Sequence, residues 1–273
     1  MYEIFFSMQN TPFSRGIPTD ALYKTRQNSE VLSRLIYAAK RQQFALLIGE
    51  PGTGKTSTLR HLRDELPETE YMVLYISDSK LTPRSFYNYL LNQLGCKSEY
   101  LRNSARQALH RQIEIMRSVQ NRKAVVIIDE AHLLQKEMLE EARFLLNFNM
   151  DSENPLALIL SGQTELWEKL KLSAYRAILE RVDIECFLTP MDFADTIQYI
   201  DAQLQYSGHE SPIFTEDAMK SIFQFSGGNP RLINRACNQS LIYASQAKQN
   251  CIDSKSVDIV LENEVTGIRK STA

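Results

Sequence analysis

The sequence predicts an α/β domain built on a doubly wound parallel sheet, followed by a small all-helical domain. Three observations carry that prediction. Short apolar runs alternate with amphipathic helical segments up to Leu188. The first such run leads into Gly49-Glu50-Pro51-Gly52-Thr53-Gly54-Lys55-Thr56, a complete phosphate-loop pattern placed between a strand and a helix. After Pro190 the strand signal ends and four helical segments follow one another.

Taken in order, residues 1–28 are aromatic-rich and irregular, with Pro12 and Pro18, and predict a segment lying on a domain surface. Ser29 to Arg41 predicts a helix with Val31, Leu32, Leu35, Ile36 and Ala39 on one face and Ser29 as its cap. Phe44 to Ile48 is a buried strand, and the helix after the phosphate loop carries Leu59, Leu62 and Leu66 on one face. Tyr71 to Ile76 is the next strand. Thr82 then caps a helix with Pro83 at its first position, which runs to Leu94 and stops at Gly95. A second helix starts at Asn103 or Ser104 and runs to about Val119. Ala124 to Ile128 is wholly apolar, as a strand covered on both faces should be. Leu139 to Phe148 is helical, and Leu156 to Leu160 and Ile184 to Leu188 are the remaining strands. The α/β domain spans 29–190. A helical domain over 191–268 holds Asp192 to Tyr206, Thr215 to Phe225, Asn229 to Ala247 and Ser254 to Glu264, with capping signals at Thr215 and Asp253 or Ser254.

The 273 residues suffice for one large or two modest domains, and 43% hydrophobic content is that of an ordinary globular chain. No apolar run reaches bilayer-spanning length, and Met1 to Phe13 shows no signal-peptide pattern, so the expectation is a cytoplasmic protein without membrane insertion. Cys96, Cys186, Cys237 and Cys251 are far apart and read as reduced thiols. Net charge is −2, but Asp78 to Lys123 holds nine Lys/Arg against three Asp/Glu. A local basic block in an acidic chain points to a localised anionic partner.

The chemistry begins at the phosphate loop. Its glycines let several backbone N–H groups converge on one phosphate, and the helix that follows turns its positive end toward the same anion. Lys55 adds charge for the β- and γ-phosphates of ATP, and the Thr56 hydroxyl suits Mg²⁺. The strand ending at Ile128 runs into Asp129-Glu130, the Walker B pattern: Asp129 holds Mg²⁺ and Glu130 orients or deprotonates the attacking water. Asp129-Glu130-Ala131-His132 also spells a helicase signature, but those enzymes need a second nucleotide-type domain where this sequence has helices. Gln163, at the tip of the following strand, can reach the γ-phosphate or stay an ordinary loop glutamine. Arg231, in the first turn of a helix opened by Gly227-Gly228-Asn229-Pro230, can reach the phosphates or remain at the surface. Arg176 and Arg181 flank a short helix; either is a potential arginine finger, and a salt bridge with Glu180 or Asp183 is the alternative for one of them.

Together these elements resemble the AAA+ ATPases, in which an α/β P-loop NTPase core and a helical lid enclose the nucleotide. The resemblance is closer still to ExeA-type ATPases. It rests on Tyr2 with Pro12-Phe13, Gly49 to Thr56, Ile127 to Leu134, Gly162-Gln163-Thr164-Glu165-Leu166, and Gly227 to Arg231 followed by Ile233-Asn234. Thr164 stands where many relatives have proline. The resemblance implies that Gln163 is sensor 1, Arg231 is sensor 2 and Arg181 is the better finger. A finger acting on a neighbouring subunit implies self-association, in a ring or a helical filament. ExeA-type secretion ATPases continue into a transmembrane helix and a peptidoglycan-binding domain, which this sequence does not display. Stand-alone relatives of the TnsC, TniB and IstB types help DDE transposases by assembling on double-stranded DNA with ATP. The expectation is therefore a DNA-binding transposition helper with a transposase partner; the alternative is a secretion ATPase acting on cell-envelope proteins. In the TnsC-like enzymes the basic segment corresponds to the channel lining, and Arg84 and Asn103 lie near backbone-contacting positions. Two helix starts in that segment suit phosphates, the first flanked by Lys80 and Arg84, the second, at Asn103-Ser104, by Arg102 and Arg106.

Overall fold

The computed structural model describes residues 2–78, 81–146, 154–209 and 211–271, with side chains described as far as 262. Five strands form one parallel sheet: β1 (Phe44–Gly49), β2 (Tyr71–Ile76), β3 (Lys123–Ile128), β4 (Leu156–Gly162) and β5 (Ile184–Leu188), in the spatial order β2-β3-β4-β1-β5. Each predicted strand is present. The apolar runs are continuous because the central strands are covered twice. Phe44, Leu46 and Ile48 of β1 pack on one side with Val126, Ile128, Leu158 and Leu160. Ala45 and Leu47 pack on the other with Val125, Ile127, Ala157 and Ile159.

The helices sort onto the two faces by the same pattern. Here α1 is Tyr2–Phe5, α2 Arg26–Arg41, α3 Lys55–Glu65, α4 Pro83–Gln93, α5 Arg102–Ser118, α6 Lys136–Phe144, α7 Thr164–Lys171 and α8 Arg176–Leu179. Leu35, Ala38 and Ala39 of α2 and Leu59 and Leu62 of α3 cover one face. Phe86 and Leu90 of α4, Leu109 and Ile113 of α5, Leu139 of α6 and Leu166 and Leu170 of α7 cover the other. Some boundaries differ from expectation. The helix α2 starts a turn early, so Ser29 is an interior residue whose carbonyl accepts from the Ser33 hydroxyl at 2.8 Å. Likewise α5 starts at Arg102 after Leu101, without a side-chain cap, so Asn103 and Ser104 belong to its first turn. The run 139–148 becomes α6, which starts at Lys136, and Phe148 lies outside the described residues. Helix α7 adds to the elements expected from sequence; Leu166 and Leu170, four apart, are its signal.

By internal contacts the chain divides into one unit of residues 27–51 and 55–188, the sheet with its helices, and a second of residues 1–26, 52–54 and 189–273. The second contains α9 (Phe193–Tyr206), α10 (Glu216–Ser226), α11 (Pro230–Ala247) and α12 (Ser254–Ser271). Side-chain caps start them, at Thr215 and Asp253 as the sequence suggests: Asp192 accepts from the Asp195 N–H at 2.8 Å, Thr215 from Ala218 at 3.2 Å, Asn229 from Arg231 at 3.0 Å and Asp253 from Ser256 at 2.9 Å. The N-terminal residues belong to this unit. Tyr2, Phe6 and Phe13 are buried in its core with Ile200, Ile222 and Leu241, and the Phe13 N–H donates to a buried Gln203 Oε1 at 2.8 Å. The surface segment of the sequence reading thus supplies core aromatics to the helical unit, because an irregular stretch can bury rings where its backbone polar groups find partners.

Candidate nucleotide site

The carboxyl ends of β1, β3 and β4 converge where parallel sheets bind ligands. The chain leaves β1 at Gly49 and re-enters a helix at Lys55. Between them Gly52 and Gly54 take φ of +91° and +100°, which side chains oppose. Gly52 is constrained twice, since a Cβ there would lie 2.5 Å from Asn229 Oδ1 and 2.8 Å from Arg231 Cβ. Thr53 is buried, and Glu50 and Pro51 are exposed. Lys55 is 6% exposed, and its ammonium donates to the carbonyls of Gly49 at 2.7 Å and Glu50 at 3.1 Å. A buried cation anchored by carbonyls, beside turned glycines and the start of α3, fits a polyphosphate.

Asp129 is the centre of the arrangement. It is 3% exposed and collects four donors. Oδ1 accepts from the Ser161 hydroxyl at 2.7 Å and the Glu130 N–H at 3.0 Å. Oδ2 accepts from the Thr56 hydroxyl at 3.0 Å and the Tyr75 hydroxyl at 3.0 Å. Such hydrogen bonds compensate burial of the carboxylate. Burial first, and the Asp129 charge second, push the Tyr75 phenol well above its ordinary range, so it stays a proton donor. Among the described residues no group of three His, Cys, Asp or Glu could hold a metal. One hydroxyl and one carboxylate suit Mg²⁺, which keeps several waters and takes phosphate oxygens, so Thr56 and Asp129 would hold it and it would draw charge from the phosphates.

Glu130 follows in the left-handed region, with φ 52° and ψ 32°, an unfavourable conformation for a glutamate that turns the chain sharply after β3. Its carboxylate is half-exposed, and Oε2 lies 3.5 Å from Nδ1 of the buried His132 ring, an approach longer than a sound hydrogen bond. Gln163 is half-buried at the end of β4, just past the Ile48–Gly162 register pair, and so next to Gly49. Beside it the Thr164 hydroxyl hydrogen-bonds Glu50 Oε1, tying α7 to the phosphate loop as proline could not. The sheet unit thus brings together Lys55, Thr56, Asp129, Glu130 and Gln163.

Arg231 is exposed in the first turn of α11. Gly228 ahead of it cannot carry a side chain, because a Cβ would stand 1.8 Å from the Met191 carbonyl. Arg176 pairs with Glu180 at 2.8 Å, the salt bridge the sequence offered for one of the two finger candidates; Arg181 is half-buried ahead of β5.

The basic segment splits. Lys80 lies outside the described residues. Arg84 stacks 4.8 Å from the Tyr100 ring and Arg106 lies 5.0 Å from the Phe144 ring, while Asn103 is exposed and Ser104 half-buried. Arg102 is differently engaged: it pairs with Glu141, 1% exposed on α6, which also accepts from the buried Tyr87 hydroxyl. Its placement among phosphate contacts is therefore weakened, since a guanidinium holding a buried carboxylate is costly to redirect. Sequence reasoning missed Tyr75, Tyr87 and Glu141. Only alternation along β2, with Tyr71 and Val73 on the α3 face, signals Tyr75. Burial raises Cys186 to about 11 and Cys237 well above its usual range, so neither thiol is a nucleophile.

Residues 38–170 match the family described as AAA domain. The chain is 32% identical over 273 residues to general secretion pathway protein A of Aeromonas hydrophila, covering 98% of this chain and 49% of that protein. It thus spans about half the length of that relative. Among solved structures, Drosophila ORC bound to DNA aligns with a TM-score of 0.69 at 18% identity, over 97% of this chain and 66% of that one. Cdc6p from Pyrobaculum aerophilum aligns at 0.66 and 18% identity, over 92% and 68%. Parallel sheet, phosphate loop and helical C-terminal region have the AAA+ P-loop fold, within which residues 38–170 match the AAA domain.

Proposed function

We propose that the chain hydrolyses ATP to ADP and phosphate with Mg²⁺, and couples that cycle to self-association and to a macromolecular partner. The observation supporting this most is the buried Asp129 linking Thr56 of the phosphate loop to Ser161 of β4, with Lys55 and Glu130 beside it. Lys55, Gly49 to Thr56 and Arg231 hold the phosphates, Thr56 and Asp129 hold Mg²⁺, Gln163 senses the γ-phosphate, and Glu130 takes the proton of the attacking water. Arg181 serves a neighbouring copy's nucleotide. Binding of a fluorescent ATP analogue tests the core of this: Lys55→Ala should abolish it, and wild-type affinity in that variant would sink the assignment.

The partner has two readings. Similarity to general secretion pathway protein A along nearly the whole chain favours a protein partner in a secretion pathway. The second reading is a transposition helper on double-stranded DNA with a transposase; one of the similar structures above is bound to DNA, and none is named for transposition. What supports the DNA reading is the basic segment from Asp78 to Lys123, which puts Arg84 on α4 and Arg106 on α5. Duplex binding with and without ATP separates the two. Among the described residues no helix is long and apolar enough to cross a membrane.

A further inference from the structure

A carboxylate offers about four acceptor positions, and all four on Asp129 are filled by protein donors. A metal ion, or a water it carries, needs one of them. Three donors cannot leave readily. The Glu130 N–H is backbone, Ser161 is fully buried, and Thr56 is itself the expected metal ligand, able to keep its proton on Asp129 while a lone pair faces the ion. Tyr75 is the exception. It stands on the edge strand β2, is 37% exposed, and water can replace its hydrogen bond. Its main chain is fixed: the Gln93 side chain of α4 donates to the Tyr75 carbonyl at 3.0 Å and accepts from its N–H at 3.0 Å, filling the place of a neighbouring strand. Only the phenol is left to move.

We propose that Tyr75 is a positioning residue that competes with Mg²⁺ for Asp129, so that its hydroxyl sets the metal requirement of nucleotide binding. This rests on the nucleotide-site reading above. The Tyr75 hydroxyl holds the Asp129 carboxylate toward Thr56 and must yield an Oδ2 lone pair when the metal enters. Tyr75→Phe keeps the ring and removes the competitor.

The test measures affinity for a fluorescent, non-hydrolysable ATP analogue in EDTA and across a Mg²⁺ series, with melting temperatures as a check on folding. In EDTA, Tyr75→Phe and wild type should bind alike. The gain in affinity that Mg²⁺ confers should be roughly tenfold larger in the variant, the lower end of what a hydrogen bond to a charged group contributes. A gain equal to or smaller than that of wild type would overturn the proposal, the smaller gain marking Tyr75 as a support of the metal site instead. If the wild-type chain bound no nucleotide, the site reading itself would fall and this inference with it.

Discussion

Removal of the Arg102 guanidinium should destabilise the sheet unit while leaving its chemistry in place. Arg102 joins α5 to α6 through Glu141, and Tyr87 of α4 donates to the same carboxylate. The Glu141 side chain is 1% exposed, so Arg102→Ala leaves a buried charge that keeps the Tyr87 hydroxyl and loses the guanidinium. Breaking a fully buried pair costs about 3–5 kcal/mol. The Arg102 side chain is 45% exposed, which screens the attraction and brings the expected loss to about 2 kcal/mol. For a domain of this size that lowers the melting temperature by about 4–8 °C. Thermal melting by circular dichroism measures it. Adding Glu141→Gln, which neutralises the buried charge and keeps an acceptor for Tyr87, should recover much of the loss. A single variant that melts with wild type, or a double variant less stable than the single, would refute the reasoning.

Gly228→Ala should cost at least about 2 kcal/mol in urea unfolding, because alanine at φ +78° is strained and its Cβ would overlap the Met191 carbonyl; an unchanged midpoint would contradict this. On the DNA reading, Arg84→Ala with Arg106→Ala should weaken ATP-dependent duplex binding and lower its salt slope by up to about 2 while ATP binding survives. Unchanged affinity and slope would move the DNA surface elsewhere or favour the protein partner.

The sheet was legible because its physics is local. Phe44 to Ile48, Ala124 to Ile128 and Leu156 to Leu160 are apolar on consecutive residues, which burial on both faces requires, and the phosphate loop fixed their direction. Caps were legible for the same reason at Thr82, Thr215 and Asp253. Pairings across the fold were not. Nothing local distinguishes Glu141 from the half-buried Glu140 beside it, although one is fully buried against Arg102 and Tyr87, 39 and 54 residues away in sequence. Tyr75 reads as an ordinary strand aromatic until β2 and β3 pair and set it beside Asp129. In the same way the N-terminal aromatics, without helical or strand periodicity, showed no sign of the helical core that takes them up.

Glu130→Gln tests the account most directly, through ATP affinity and steady-state turnover measured on one preparation. The amide keeps the size and turn of residue 130 but cannot accept the proton of water. ATP should bind as in wild type while turnover falls about 10²–10⁴-fold, the contribution of a positioned general base. Turnover at the wild-type rate would contradict the assignment of Glu130 as that base.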